Sequence, residues 1–159
     1  MNPAVVGINQ LVHIAEELRV AGKKLVLTNG CFDLLHVGHT RYLQAARALG
    51  DALVVAVNGD DSIRALKGEG RPLNREADRA EILAALACVD HVCIFHETRA
   101  TSLLLRVRPS VYVKGGDYRP ETLHSEERDA LKKVGAEIKI VPFEIGYSTS
   151  RLLERMNGR

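Results

Sequence analysis

The chain has 159 residues, 46% of them hydrophobic, with 22 Lys and Arg against 20 Asp and Glu, a formal net charge of +2 and only 4% aromatic residues. That length fits one domain with a core that needs no staples, an N-terminal helix over 1–22 and a core over 23–159, while the weak charge and scarce aromatics exclude a nucleic-acid partner. Three cysteines at irregular spacing argue for a reducing compartment, and the absence of a leader-like start or a long apolar run predicts a cytoplasmic protein with no membrane partner.

Ile8, Leu11, Val12, Ala15 and Leu18 recur at helical spacing and predict an amphipathic opening helix ending near Gly22. Lys24 to Thr28 reads as a buried strand, and Tyr42, Leu43, Ala46 and Leu49 mark the helix after it. The wholly apolar run Ala52 to Val57 is expected to be a strand covered on both faces. A short helix over Asp61 to Leu66 follows, then a mobile loop over Gly68 to Pro72, then a helix from an Asn74 cap through Ala87. The strand His91 to Phe95 leads to a helix over Ala100 to Val107, and Pro109 resets the chain before the strand Val111 to Val113. A helix over Glu121 to Val134, a strand over Glu137 to Val141 and a last helix capped by Ser148 or Ser150, ending near Met156, complete the order. This alternation predicts an α/β fold: a Rossmann-like, doubly wound parallel sheet of about five strands with helices on both faces.

Such sheets bind ligands beyond the carboxyl ends of their strands, where the strand order reverses. Thr28 to Asp33, Asn58 to Asp60, Lys114 to Asp117 and Gly146 to Ser150 all follow predicted strands, whereas the opposite ends carry plainer links such as Leu49-Gly50-Asp51 and Val134-Gly135-Ala136. The most pointed of these segments runs from Thr28 to His39, joining a strand end, a glycine turn and two histidines at a helix start. Helix N-termini carry unpartnered N–H groups and partial positive charge, so the place is suited to phosphate. Gly38 lets a polyphosphate approach the main chain, and His36 and His39, three positions apart, face one side. Cys31, His36 and His39 are also possible metal ligands, but no second ligand pair at tetrahedral-site spacing lies nearby. Cys88, His91, Cys93 and His96 crowd together across a helix end and a strand whose alternation separates them, which favours structural roles.

Lys67, Arg71, Arg79 and Lys114 supply cations to the same edge, Lys67 and Arg71 from a glycine loop able to close over a substrate. No dedicated base or covalent nucleophile is evident. An attacking phosphate monoester is already ionised at neutral pH and needs neither. The chemistry left to the protein is then to align that oxygen with the α-phosphorus of a nucleoside triphosphate and to stabilise the departing pyrophosphate. His36, His39 and Lys67, with a magnesium ion, suit that task. A phosphatase would need a nucleophile or a metal pair, and a dehydrogenase the G-x-G-x-x-G turn; neither is present.

His36-Val37-Gly38-His39 matches the H-x-G-H element of the cytidylyltransferase-like nucleotidyltransferases, which this chain resembles. The match extends through Asn29-Gly30-Cys31-Phe32-Asp33, Val57-Asn58-Gly59-Asp60-Asp61-Ser62, Leu66-Lys67-Gly68, Arg71-Pro72, Arg79, Val113-Lys114-Gly115-Gly116-Asp117-Tyr118 and Ser148-Thr149-Ser150. The Val-Lys-Gly-Gly-Asp-Tyr run, with Lys-Gly and Arg-Pro in the middle loop, looks most like the adenylyltransferases of ADP-heptose synthesis. The resemblance implies transfer of AMP from ATP, carried with Mg2+, to D-glycero-β-D-manno-heptose 1-phosphate, giving ADP-heptose and pyrophosphate for the lipopolysaccharide inner core. It also implies a homodimer and, because this length leaves no room for the sugar kinase domain many relatives carry, a stand-alone form served by a separate heptose kinase.

Carried onto this sequence, the resemblance makes His36, His39 and Lys67 the catalytic set. It assigns Asn29, Gly30, Cys31, Phe32, Gly38, Arg79, Lys114, Gly115, Asp117, Ser148 and Thr149 to the nucleotide, and Asp33, Lys67, Arg71 and Gly116 to the sugar phosphate. Two departures stand out: Glu144-Ile145-Gly146-Tyr147 replaces a more acidic Glu-Asp-Gly run, and Ser150 stands where threonine or asparagine is common. Two other readings compete. A CTP-dependent glycerol-3-phosphate cytidylyltransferase is disfavoured by Phe143, at a position where those enzymes resemble one another in having arginine. A non-catalytic nucleotide sensor is disfavoured by the full set His36, His39, Lys67, Arg79 and Lys114.

Overall fold

The computed structural model describes residues 4–116, 119–142 and 144–158. In chain order these form β1 (Ala4–Val5), α1 (Ile8–Val20), β2 (Leu25–Gly30), α2 (Val37–Arg47), β3 (Ala52–Asn58), α3 (Asp60–Lys67), α4 (Glu76–Ala84), β4 (His91–Phe95), α5 (Thr101–Val107), β5 (Val111–Gly115), α6 (Ser125–Val134), β6 (Glu137–Val141) and α7 (Thr149–Met156). A 3-10 turn at Pro120–Thr122 precedes α6. All pairings are parallel, in the order β1-β4-β3-β2-β5-β6. The α/β architecture is the one the alternation predicts.

Among the described residues the sheet has six strands, the five expected and a short sixth at one edge. The extra one, β1, spans two residues at an edge, held by pairing with His91 and Val92, and two residues are too short to carry an alternation signal. The helix expected from Glu121 begins instead at Ser125, because Pro120 to Thr122 close a 3-10 turn and Leu123 adopts extended backbone. Asn74 does not cap α4: the cap position is Arg75, and the Asn74 side chain donates to the Asp33 carbonyl.

Alternate residues of each central strand enter opposite cores, which is why the strands read as uninterrupted apolar runs. Leu25, Leu27, Val54, Ala56, Phe95 and Tyr112 pack with Leu11 of α1, Leu103 and Leu104 of α5 and Leu131 of α6. Val26, Leu53, Val55, Val57, Val92 and Val113 pack on the other face with Leu43 and Ala46 of α2 and Leu83 of α4. Each fully buried Val or Leu contributes about 2 kcal/mol of transfer free energy. Cys93 is buried in the first core and Cys88 packs against the second, so the sheet separates these two cysteines. Among the described residues no helix is long and apolar enough to cross a membrane. The order of strands reverses between β2 and β5, and the carboxyl ends of those strands and their neighbours form the floor of the site described next.

Candidate active site

A cavity of about 660 Å³ opens at that edge, lined from β2 and the turn after it by Asn29 to Asp33, from β3 by Asn58, from β5 by Lys114 and Gly115, and from three helices by His39, Lys67 and Thr149. Tyr42 fixes the helix that carries the histidines. Its hydroxyl donates to the Val113 carbonyl at 3.2 Å and lies 2.7 Å from Thr28 Oγ1, tying α2 to β2 and β5. Burial pushes the Tyr42 hydroxyl up to about 12, so it stays a protonated donor.

The histidines are locked by their own helix. His36 is the cap residue of α2, and its Nδ1 accepts the Gly38 N–H at 3.1 Å; His39 Nδ1 accepts the His36 N–H at 3.3 Å. A neutral imidazole has one donor and one acceptor nitrogen, so both rings are held as the tautomer protonated on Nε2. The rings lie 4.0 Å apart between centroids. Burial lowers the pKa of both, and for His39 the neighbouring His36 and Lys67 charges add to burial and bring it to about 4. At neutral pH the pair is therefore uncharged and presents two N–H donors. Gly38 is required here, since a Cβ would sit 2.8 Å from His36 Cε1 and 2.9 Å from its Nδ1. His39 faces the main cavity, whereas His36 lines a smaller one of about 260 Å³ with Gly146, Tyr147, Ser148, Arg151 and Arg155.

The glycine turn after β2 places Phe32 in the left-handed region, at φ 47°, with its ring 5.5 Å from that of His39. Ser148 caps α7 by accepting the Arg151 N–H at 3.0 Å, and Thr149 Oγ1 donates to the Leu34 carbonyl at 3.1 Å. The Thr149 contact ties a second helix N-terminus, which carries partial positive charge, to the turn that leads to the histidines.

Not every residue singled out from the sequence faces the cavity. Arg79 is fully buried: Nε donates to Asn74 O at 3.0 Å, Nη1 to Cys31 O at 2.6 Å and Nη2 to Asp60 Oδ1 at 2.8 Å. It does not line the cavity; it clips the β2 turn to α3 and α4. Asp33 lines the cavity yet is almost wholly engaged by its own fold, accepting from Leu73 N, Asn74 N and Arg71 Nε at 2.8 to 3.0 Å. Desolvation of its carboxyl is outweighed by these bonds together, which hold its pKa below the ordinary value. The loop expected to be mobile is therefore anchored at its Arg71 end, and the Leu73 and Asn74 amides that follow it hold the same carboxylate. Arg71 still lines the cavity, and Lys67 reaches it from the last turn of α3. Gly116 lies outside the lining, its N–H donating to Val141 O at 3.0 Å. Asp117, Tyr118 and Phe143 lie outside the described residues.

The structure also adds residues that the sequence reading did not single out: Thr98 and Arg99 beyond β4, and His124 and Glu127 at the start of α6. Thr98 and Arg99 were findable, since they too follow a strand. His124 and Glu127 belong to no strand end and to no recognisable motif. Among the described residues no three His, Cys, Asp or Glu side chains come together as a metal-ligating group.

The family model described as cytidylyltransferase-like matches residues 27–155. The chain is 48% identical over 149 residues to the bifunctional protein HldE of Geobacter metallireducens, covering 94% of this chain and 30% of that protein. To the HldE of Alkalilimnicola ehrlichii it is 48% identical over 147 residues, 92% of this chain and 30% of the relative. The chain thus spans about a third of the length of these relatives. A crystal structure of a lipopolysaccharide core biosynthesis protein from Thermoplasma volcanium superposes with a TM-score of 0.62 at 31% identity, covering 77% of this chain and 98% of that one. Pantoate-beta-alanine ligase from Francisella tularensis shares the fold at 16% identity, with a TM-score of 0.59 over 92% of this chain and 69% of its own.

Proposed function

This chain belongs to the cytidylyltransferase-like family, and from that premise we propose that it transfers AMP from ATP to D-glycero-β-D-manno-heptose 1-phosphate, forming ADP-heptose and pyrophosphate. The observation that carries the reaction type is the pair of neutral imidazoles at the α2 N-terminus, each holding an Nε2 proton because a backbone amide occupies its Nδ1. The choice of acceptor is supported by the Val-Lys-Gly-Gly-Asp-Tyr run and by the identity to the HldE proteins and to the lipopolysaccharide core biosynthesis protein.

In this reading the triphosphate lies across the N-termini of α2 and α7, with His36, His39 and Lys67 donating to its oxygens. A phosphate oxygen of the sugar ester attacks the α-phosphorus, a new P–O bond forms, and the bond from the α-phosphorus to the bridging oxygen breaks. The electron pair leaves with pyrophosphate. The attacking group has a second pKa of about 6 and is ionised at neutral pH, so no proton need be removed. The side chains stabilise charge as it moves to the equatorial and departing oxygens, and they are in place before the reaction starts. Mg2+ enters as part of the nucleotide substrate. The donor set suits that role, because the Asp33 carboxylate is engaged by its own loop and the site offers hydrogen-bond donors to phosphate oxygens.

A cytoplasmic setting, supply of the phosphate ester by a separate heptose kinase, and a homodimer belong to the same proposal. The test is pyrophosphate release with each nucleoside triphosphate and each acceptor. We expect release with ATP and heptose 1-phosphate; release confined to CTP and glycerol 3-phosphate reverses the assignment. ATP binding without pyrophosphate release from any sugar phosphate makes the chain a sensor.

A further inference from the structure

Two carboxamides stand on the cavity floor, Asn29 near the end of β2 and Asn58 at the end of β3. Strand alternation puts Asn29 on the face of Leu27 and Asn58 on that of Ala56, and both of those pack in one core, so the two side chains share a face of the sheet. The register pairs Asn29 with Ala56 and sets Asn58 two residues further along. With neighbouring strands about 4.8 Å apart and a rise of about 3.3 Å per residue, the two Cα atoms stand roughly 8 Å apart. Each carboxamide is held by a hydroxyl that lies outside the cavity lining. Tyr112 of β5, fully buried and paired with Leu27, donates from its hydroxyl to Asn29 Oδ1. Ser62 of α3, also buried, donates to the Gly59 carbonyl at 3.1 Å and accepts from Asn58 Nδ2 at 3.2 Å. A carboxamide accepts at its oxygen and donates at its nitrogen, so each hydroxyl fixes which way its partner faces. Asn29 is left with Nδ2 as a donor at the cavity floor, and Asn58 with Oδ1 as an acceptor.

The donors therefore run one way, from Tyr112 to Asn29 and from Asn58 through Ser62 to Gly59, with a gap between the two carboxamides. Two adjacent hydroxyls close it: the first accepts from Asn29 Nδ2 and the second donates to Asn58 Oδ1. A base edge offers an acceptor and a donor only in one plane, whereas these side chains issue from different strands, two residues apart. We propose that the two carboxamides bind a vicinal diol of a phosphorylated sugar, and that Tyr112 and Ser62 are positioning residues for them. The inference rests on the transferase reading above, in which both substrates carry hydroxyls of this kind, ATP on its ribose and the acceptor on its heptose. Tyr112 acts through Asn29. Its hydroxyl polarises the amide that donates onward and orders it before the ligand arrives, so the ligand does not bear that cost.

The test is calorimetric titration of paired ligands into the wild type, Tyr112→Phe and Ser62→Ala, with a thermal melt to verify that each is folded; either variant decides if the other unfolds. One arm compares ATP with its 2′-deoxy and 3′-deoxy analogues. The other, in protein saturated with a non-hydrolysable ATP analogue, compares D-glycero-β-D-manno-heptose 1-phosphate with its 2-deoxy and 3-deoxy analogues. We expect the wild type to prefer the hydroxyl-bearing ligand about tenfold in at least one arm, and Tyr112→Phe to reduce that preference to about threefold or less, with Ser62→Ala acting in the same arm. The arm that responds identifies the substrate whose diol is held. A merely structural loss weakens both members of a pair alike and leaves their ratio unchanged. A wild type indifferent to the hydroxyls, or ratios unchanged in the folded variants, overturns the proposal. So does an altered preference for ATP over inosine triphosphate with the deoxy ratios intact, which gives the pair to the base. Because binding is read without turnover, a Tyr112-dependent ratio in a protein that releases no pyrophosphate refutes the proposed reaction and supports the diol site. Pyrophosphate release with unchanged ratios does the reverse.

Discussion

At the scale of single residues, the site depends on which nitrogen of each histidine is taken. With Nδ1 of His36 and His39 bonded to backbone amides, only Nε2 is left to meet a phosphate. His39→Ala removes one donor that acts on charge developing in the reaction, and turnover should fall about a hundredfold or more with the fold intact. Stopped-flow or steady-state pyrophosphate release, beside a thermal melt, checks both halves; wild-type turnover in the variant removes the imidazoles from the mechanism. The H-x-G-H spacing made both histidines legible in the sequence, because a motif fixes local geometry. Arg79 shows where such reasoning stops. A cation near a helix start reads the same whether it meets a ligand or three groups of its own protein, and only the folded chain places Cys31 O and Asp60 against it.

At the scale of elements, that guanidinium joins three pieces distant in sequence: the turn after β2, the start of α3 and the first turns of α4. Arg79→Ala leaves two carbonyls and a carboxylate without their donor, and should cost about 3 kcal/mol. For a chain of this length that is a fall in Tm of roughly 8 °C. Calorimetry measures it, and the expected signature is lost stability with little change in ATP affinity; weaker ATP binding at an unchanged Tm would return Arg79 to the nucleotide site. The elements themselves were legible wherever periodicity ran long enough. The α1 stripe, the apolar β3 run and the order of strand and helix all follow from patterns of apolar residues. What escaped was short or set by distant contacts: a two-residue β1, the 3-10 turn before α6, and the entry of His124 and Glu127 into the cavity lining.

At the scale of the whole molecule, proton uptake links the site to stability. Unfolded histidine binds a proton near pH 6.5, whereas His39 in the folded chain does so only at about 4. Between those values the unfolded state holds more protons, so stability rises with pH across the window and is lost as pH falls through it. Urea denaturation between pH 4 and pH 7 should show that slope, and His39→Gln should flatten part of it; an unchanged slope means His39 titrates alike in both states. The all-parallel sheet was predictable because its order of elements allows few other topologies, and it gathers every strand's carboxyl end along one edge. The doubly anchored imidazoles carry one last implication. A ring takes up a proton only at a nitrogen with a free lone pair, and here Nε2 already carries hydrogen while the lone pair of Nδ1 is occupied by a main-chain amide. In the proposed transfer the pair would steady a migrating charge without drawing hydrogen from a water molecule, so a geometry suited to an anionic attacker would give no help to wasteful hydrolysis of the nucleotide.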